Sequence, residues 1–148
     1  MELSQWDIKF VAGLEYCVNH RDLDLSDNEI IDLTPLKSLT NLERLNLYHN
    51  QVSNISALRD LIKLRELFLS RNNLTDISAI SDLHHLEILY LDNNNILDIS
   101  PLMDNTGFGA GDLLTMFLNP LSEDSIENLR KLMDRGVELD ETTQNAYF

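Results

Sequence analysis

Cys17 is the only cysteine in this chain, so no internal disulfide can form and the fold cannot depend on oxidation. Aromatic residues are scarce, at 7%. The core must therefore be aliphatic, and leucine supplies most of it. Basic residues are few: 11 Lys and Arg stand against 25 Asp and Glu, a formal charge of −14. That balance argues against nucleic acid or an anionic membrane as partner, while a basic or mixed protein would be steered toward the chain. No apolar run reaches the roughly 18 residues of a membrane span, so no membrane insertion is expected. MELSQWDIKF has no cationic stretch followed by an apolar one, so no signal peptide is expected either. Metal-ligand spacings such as H-x-x-x-H and C-x-x-C are missing, and no serine has a neighbouring His and acid. No catalytic residue, cofactor or metal site is expected, and the chain does not read as an enzyme.

What is present is a phrase repeated in strict phase. LDLSDNEI (Leu23–Ile30), LNLYHNQV (Leu45–Val52), LFLSRNNL (Leu67–Leu74) and LYLDNNNI (Leu89–Ile96) place an asparagine at 28, 50, 72 and 94, a period of 22. A unit this short cannot bury its apolar side alone, so the copies must stack. The L-x-L piece alternates with period two and predicts one short strand per unit with its leucines inward. Strands separated by a return path pair in parallel, near 23–25, 45–47, 67–69, 89–91 and 114–116, with a further one possible near 1–3. The asparagine amide both donates and accepts, so a stack of them can satisfy backbone groups at the bend.

The second half of each unit is equally regular. Asp32, Asn54, Asp76 and Asp98 form one column, and Thr34, Ser56, Ser78 and Ser100 another. Short polar side chains there start a tight helical turn, and Pro35 and Pro101 fit its first position. Residues 1–19 read as a degenerate first repeat with Trp6 where the asparagine belongs and Cys17 in a buried leucine column. Either Trp6, Phe10 and Tyr16 improvise an end cap or the parent protein continues upstream. After Asn94 the next asparagine in phase is Asn119, 25 residues on, and the extra residues fall in the insertion loop NTGFGAGD (Asn105–Asp112). Ser122 then caps an amphipathic helix over 122–136 ended by Gly136, which would cover the open end of the stack. Val137 and Leu139 can add a last strand, and 140–148 reads as a frayed tail. The organisation is one domain over 1–139, with repeats over 20–121.

These residues resemble the leucine-rich repeat family, and its 22-residue subclass with the I-x-D-I-S-P-L phrase, found in bacterial internalins and in a regulatory subunit of a nuclear Ser/Thr phosphatase. GLEYCVN (Gly13–Asn19) and the segment from Asn105 to Leu139 resemble internalin-like end units. The resemblance implies a right-handed α/β leucine-rich repeat solenoid. It would have a concave parallel β-sheet, short helical turns on the convex side and a C-terminal capping helix. It also implies protein–protein interaction through the concave face. The alternative is a structural spacer, or a fragment of a larger internalin-like surface protein. A complete chain would be cytoplasmic, and a fragment of such a protein secreted or surface-bound.

If the L-x-L leucines point inward, their neighbours line the concave face. Tyr48, Phe68 and Tyr90 are the expected anchors, with Ile88 and Leu113 as apolar support and Arg44 and Arg71 as selective charges. Asp22, Asp24 and Asp27 make the first repeat acidic and would attract a basic stretch of the partner. The competing account is that the rings merely pack on one another along the sheet. A monomer is expected.

Overall fold

The computed structural model describes residues 1–148. Each L-x-L phrase forms a three-residue strand: β1 Asp22–Asp24, β2 Arg44–Asn46, β3 Glu66–Phe68, β4 Ile88–Tyr90 and β5 Leu113–Thr115. They pair in parallel and in sequence order, with Leu23, Leu45, Leu67, Leu89 and Leu114 in register. All five leucines are buried, as the alternation requires. The strands start one residue earlier than predicted, because the residue ahead of each inward leucine pairs as well. A sixth strand, β6 Glu138–Leu139, joins β5. Ahead of β1 the chain makes only a single bridge, Glu2 to Asp24.

The convex side carries 3-10 turns at Thr34–Ser38, Ser56–Leu58 and Ser78–Asp82, and one turn of α-helix, α1, at Ser100–Asp104. The polar columns start these turns. Asp32, Asn54, Asp76 and Asp98 each accept the amide N–H two residues on, at 2.8–2.9 Å. The Thr34 hydroxyl and amide hold the Asp32 carboxyl below its ordinary range. Between turn and strand lies one continuous aliphatic core running the length of the solenoid.

The asparagines form the expected ladder. Asn50 Nδ2 donates to the carbonyls of Leu25 (2.9 Å) and Leu47 (3.2 Å), while its Oδ1 accepts from the Ile30 amide at 2.9 Å. Asn72 and Asn94 repeat the pattern one rung further each time. Every rung thus has its buried bend satisfied by the asparagine of the next.

The C-terminal end is closed by two helices. Helix α2, Glu123–Asp134, begins at Ser122, whose hydroxyl accepts from the Ser125 amide at 3.1 Å. It buries Leu129 and Leu132 and stops at Gly136, where φ is +98°. The segment 140–148, expected to be frayed, is instead helix α3, Glu141–Tyr147, capped by Asp140. Two polar side chains hold it down. The Thr143 hydroxyl accepts from the Met116 amide at 3.0 Å, and the Tyr147 hydroxyl accepts from the Asn119 amide at 3.1 Å. That hydroxyl also lies 2.8 Å and 3.1 Å from the carbonyls of Asn119 and Met116. Met116 stands three residues before Asn119, as Leu25 stands before Asn28. Tyr147 therefore takes the Met116 carbonyl that a further ladder asparagine would take, and also meets the Asn119 amide, whose counterparts Asn28 and Asn50 donate to backbone carbonyls. Replacing Tyr147 by phenylalanine should cost about 1–3 kcal/mol, since it strands a buried amide. Urea unfolding checks the value, and an unchanged midpoint would count against the role. Burial raises the Tyr147 phenol above its ordinary range. Its neutral form is thus the one the fold favours: the contribution is intact below about pH 10 and fades as pH rises beyond it.

The insertion loop is not loose. Asn105 is buried, accepts from the amides of Gly107 (3.0 Å) and Phe108 (3.2 Å), and donates to the carbonyls of Ile80 and Leu83. Arg135 holds the same corner, donating to the carbonyls of Leu102, Met103, Asn105 and Phe108 at 3.0–3.4 Å. Phe108 fills the core, and any side chain at Gly107 would meet the His84 carbonyl oxygen at 2.0 Å.

Residues 1–19 pack less completely than the repeats that follow. In the terminal rung Val11 is buried, but Leu3, Ile8, Leu14 and Cys17 are only half-buried. Cys17 was expected in the core and is instead half-buried. Trp6, Phe10 and Tyr16 are exposed and do not close the end.

Candidate binding surface

Strand register brings the concave residues into columns 22 residues apart. Asp22, Arg44, Glu66, Ile88 and Leu113 are lateral neighbours, and Asp24, Asn46, Phe68, Tyr90 and Thr115 form the next column. Arg44 lies between Asp22 and Glu66, at 3.2 Å and 3.1 Å, with its guanidinium 5.1 Å from the Phe68 ring centroid. Burial works against that guanidinium's charge, but bonding to Asp22 and the nearby carboxylates outweigh it and raise its pKa. Arg44 is thus already engaged within the sheet. Phe68 and Tyr90 meet edge to face with centroids 5.0 Å apart, so these two rings do pack on one another, at the expense of exposed ring area.

Asp24 is half-buried, and burial alone would raise its carboxyl. The Ser26 hydroxyl and amide and the Asn46 amide outweigh that and hold it below the ordinary range. It stays a carboxylate at neutral pH. Asp27 bonds the His49 ring at 2.8 Å on the rim of the face. Asp27, His49, Arg71, Asn93 and Leu118 all have positive φ, which turns this column out of the sheet plane.

Toward the C-terminal end the surface deepens. A hollow of about 330 Å³ is lined by Tyr48, Tyr90, Phe117 and Leu118, by Ser70, Arg71, Asp92 and Asn93, and by Thr142 of α3. Arg71 stacks on Tyr48 at 5.7 Å and pairs with no carboxylate. Asp92 is fixed by the Ser70 hydroxyl at 3.0 Å, the Thr115 hydroxyl and the Phe117 amide at 2.9 Å. The structure therefore brings Tyr48, Tyr90 and Arg71 to one hollow, while Phe68, Ile88 and Leu113 stand outside it in the sheet and Asp22, Asp24 and Asp27 lie in the first repeats. Asp92, Phe117 and Thr142 were not among the expected binding residues. Phe117 and Asp92 stand in the same column as Tyr48 and were readable there, whereas Thr142 depends on the docking of α3.

No three His, Cys, Asp or Glu side chains group so as to hold a metal ion, and no helix is long and apolar enough to cross a membrane.

The family described as Leucine Rich repeats (2 copies) matches residues 21–60 and again 62–102. The chain belongs to the leucine-rich repeat family. Among solved structures this leucine-rich repeat chain is similar to internalin C2 from Listeria monocytogenes, at 33% identity and a TM-score of 0.79, over 94% of this chain and 60% of that one. It is similar also to a leucine-rich repeat protein of Leptospira interrogans (25% identity, TM-score 0.69, 90% of this chain and 40% of that one). A third is the leucine-rich repeat ectodomain of the plant membrane receptor kinase GASSHO1/SCHENGEN3 from Arabidopsis thaliana, in complex with Casparian strip integrity factor 2. It is 25% identical with a TM-score of 0.71, over 94% of this chain and 17% of that one. The chain thus spans less than two thirds of the length of each. Among curated proteins none matches the sequence. Leucine-rich repeat folds commonly mediate protein–protein interaction, and members of this kind are typically non-enzymatic.

Proposed function

We propose that this chain binds another protein through its concave face and catalyses nothing. Tyr48, Phe68 and Tyr90 serve as anchors, Ile88 and Leu113 as apolar support, and Arg44 and Arg71 as the selective charges. Asp22, Asp24 and Asp27 draw a basic stretch of the partner, which gives a salt-sensitive on-rate. The observation that carries this reading is the hollow of about 330 Å³ between Tyr48, Tyr90 and Phe117, with the unpaired Arg71 at its edge. Aromatic side chains beside an arginine, in a concavity already shaped, have the composition of an interaction hot spot.

The rival is a structural spacer. It is favoured by Phe68 packing on Tyr90 and by Arg44 satisfying Asp22 and Glu66, both of which turn the face toward itself. Pull-down with the intact chain and with the Phe68→Ala/Tyr90→Ala double variant separates the two. The binding reading expects partners recovered with the former and lost with the latter. Equal recovery with both would rule out the aromatic anchors.

A further inference from the structure

Of the 11 basic side chains, Arg71 alone has neither a carboxylate partner nor a hydrogen bond within the chain. The others are tied even where no carboxylate is near: Lys63 donates to the Asn41 side chain, and Arg135 to backbone carbonyls. Arg71 is exposed, its φ of +57° turns it out of the sheet plane, and it stands between two hollows. On one side is the aromatic hollow that Tyr48, Tyr90 and Phe117 line. On the other is a second hollow, also of about 330 Å³, whose walls hold no apolar and no acidic side chain. Arg71 and Asn93 belong to both.

The second hollow is rich in unused donors. The side-chain amides of Asn73, Asn93 and Asn95 make no hydrogen bond within the chain. The backbone N–H groups of Asn72 and Asn94 meet no acceptor either, whereas those of Asn28 and Asn50 each donate to a carbonyl at 3.2 Å. Together with the Arg71 guanidinium these groups line one space, where an oxygen anion would find charge-assisted hydrogen bonds. On a chain of formal charge −14, an acid-free wall beside an unpaired arginine marks the place for a carboxylate. The aromatic hollow does not suit one, because it holds Asp92. The two hollows therefore take different groups, apolar on one side of Arg71 and acidic on the other.

We infer, building on the concave-face function proposed above, that the partner lays an extended acidic segment across Arg71. A large apolar side chain of that segment enters the aromatic hollow, and an Asp or Glu enters the polar one with its carboxylate on the guanidinium. Alternate side chains of an extended chain share a face about 7 Å apart, so the two residues are separated by one other. The acidic first repeat, with Asp24 and Asp27, lies two rungs from Arg71, about 10 Å at ordinary strand spacing. That leaves room for a basic residue of the same partner a few positions along. Arg71 thus selects for a charge opposite to the one the first repeat draws.

The test titrates the isotope-labelled intact chain with Gly/Ser peptides that carry one Phe and one Glu around a single serine, in both orders. Nuclear magnetic resonance reads the amides up to about 5 mM peptide, a range that captures a millimolar contact. The expected result, for at least one order, is saturable shifts at the Arg71 guanidinium, at the Asn73, Asn93 and Asn95 side-chain amides, and around Tyr90 and Phe117. Glu→Gln in the peptide, or Arg71→Gln in the chain, should weaken binding at least tenfold, and the exposed Arg71→Gln should leave the urea midpoint unchanged. Arg71→Lys, which keeps the charge but loses the fork of donors, should lose less. Equal affinity for the Glu and Gln peptides, shifts elsewhere, or no saturable shift would overturn the inference. A natural partner lost with Phe68→Ala/Tyr90→Ala but retained with Arg71→Gln would also sink it, while leaving the concave-face function standing.

Discussion

Asn72→Ala is expected to destabilise the chain by about 3–4 kcal/mol, more than most single substitutions do. The Asn72 amide donates to the carbonyls of Leu47 (2.8 Å) and Leu69 (3.1 Å), and its oxygen accepts from the Val52 amide at 2.9 Å. Alanine supplies none of these bonds and admits no water to replace them, because the bend is buried between rungs. Each stranded backbone group costs on the order of 1–3 kcal/mol, and partial relaxation keeps the total below their sum. Guanidinium or urea unfolding gives the number directly. A loss under 1 kcal/mol, on the scale of an ordinary solvent-exposed hydrogen bond, would mean that the ladder is not what satisfies the bends. Asn72→Asp is the sharper companion. It keeps the acceptor for Val52 but turns two donations into repulsion between a carboxylate and carbonyl oxygens, so it should be at least as damaging.

The second large effect is Leu67→Ala, with a cost of roughly 2–5 kcal/mol. Leu67 is fully buried at the centre of β3, and its lateral neighbours Leu45 and Leu89 are fixed in register by strand pairing. They cannot close over the vacated space without breaking that register. The loss also falls on the two interfaces that join the middle rung to its neighbours. Because a solenoid is stabilised by nearest-neighbour contacts, the two halves should uncouple and the transition broaden. A melt that keeps its midpoint and its sharpness would show that Leu67 is not a ladder residue.

Most of the fold was legible because period and chemistry agree at every level. The L-x-L alternation sets strands, the asparagine satisfies the bend, and the Asp/Asn and Ser/Thr columns start the outer turns. What escaped was contact between distant segments. Helix α3 has no apolar stripe to announce it; Thr143 and Tyr147 hold it by meeting backbone groups of Met116 and Asn119, and no local pattern encodes that meeting. The Gly-rich loop read as a plain insertion, while its order comes from Asn105 within it and Arg135 beyond it. The concave face was legible as columns of residues. Its internal pairings were not, because Arg44 can reach either Asp22, Glu66 or a partner, and only geometry chooses among them. Thr142 escaped the binding surface for the same reason that α3 escaped the fold.

The Tyr147 hydroxyl on the last ladder carbonyl has a consequence for how such a chain can lengthen. The terminating hydroxyl meets only the last rung, at Met116 and Asn119, and is indifferent to how many rungs precede it. Within the middle, each rung presents to its successor the same carbonyls and amide that it takes from its predecessor. Duplication or deletion of one 22-residue unit between Asn50 and Asn94 therefore leaves both ends chemically unaware of the change. The length of the concave face can drift over generations by whole steps while the closing helices stay as they are, so reach toward a partner is free to vary independently of the means by which the solenoid ends.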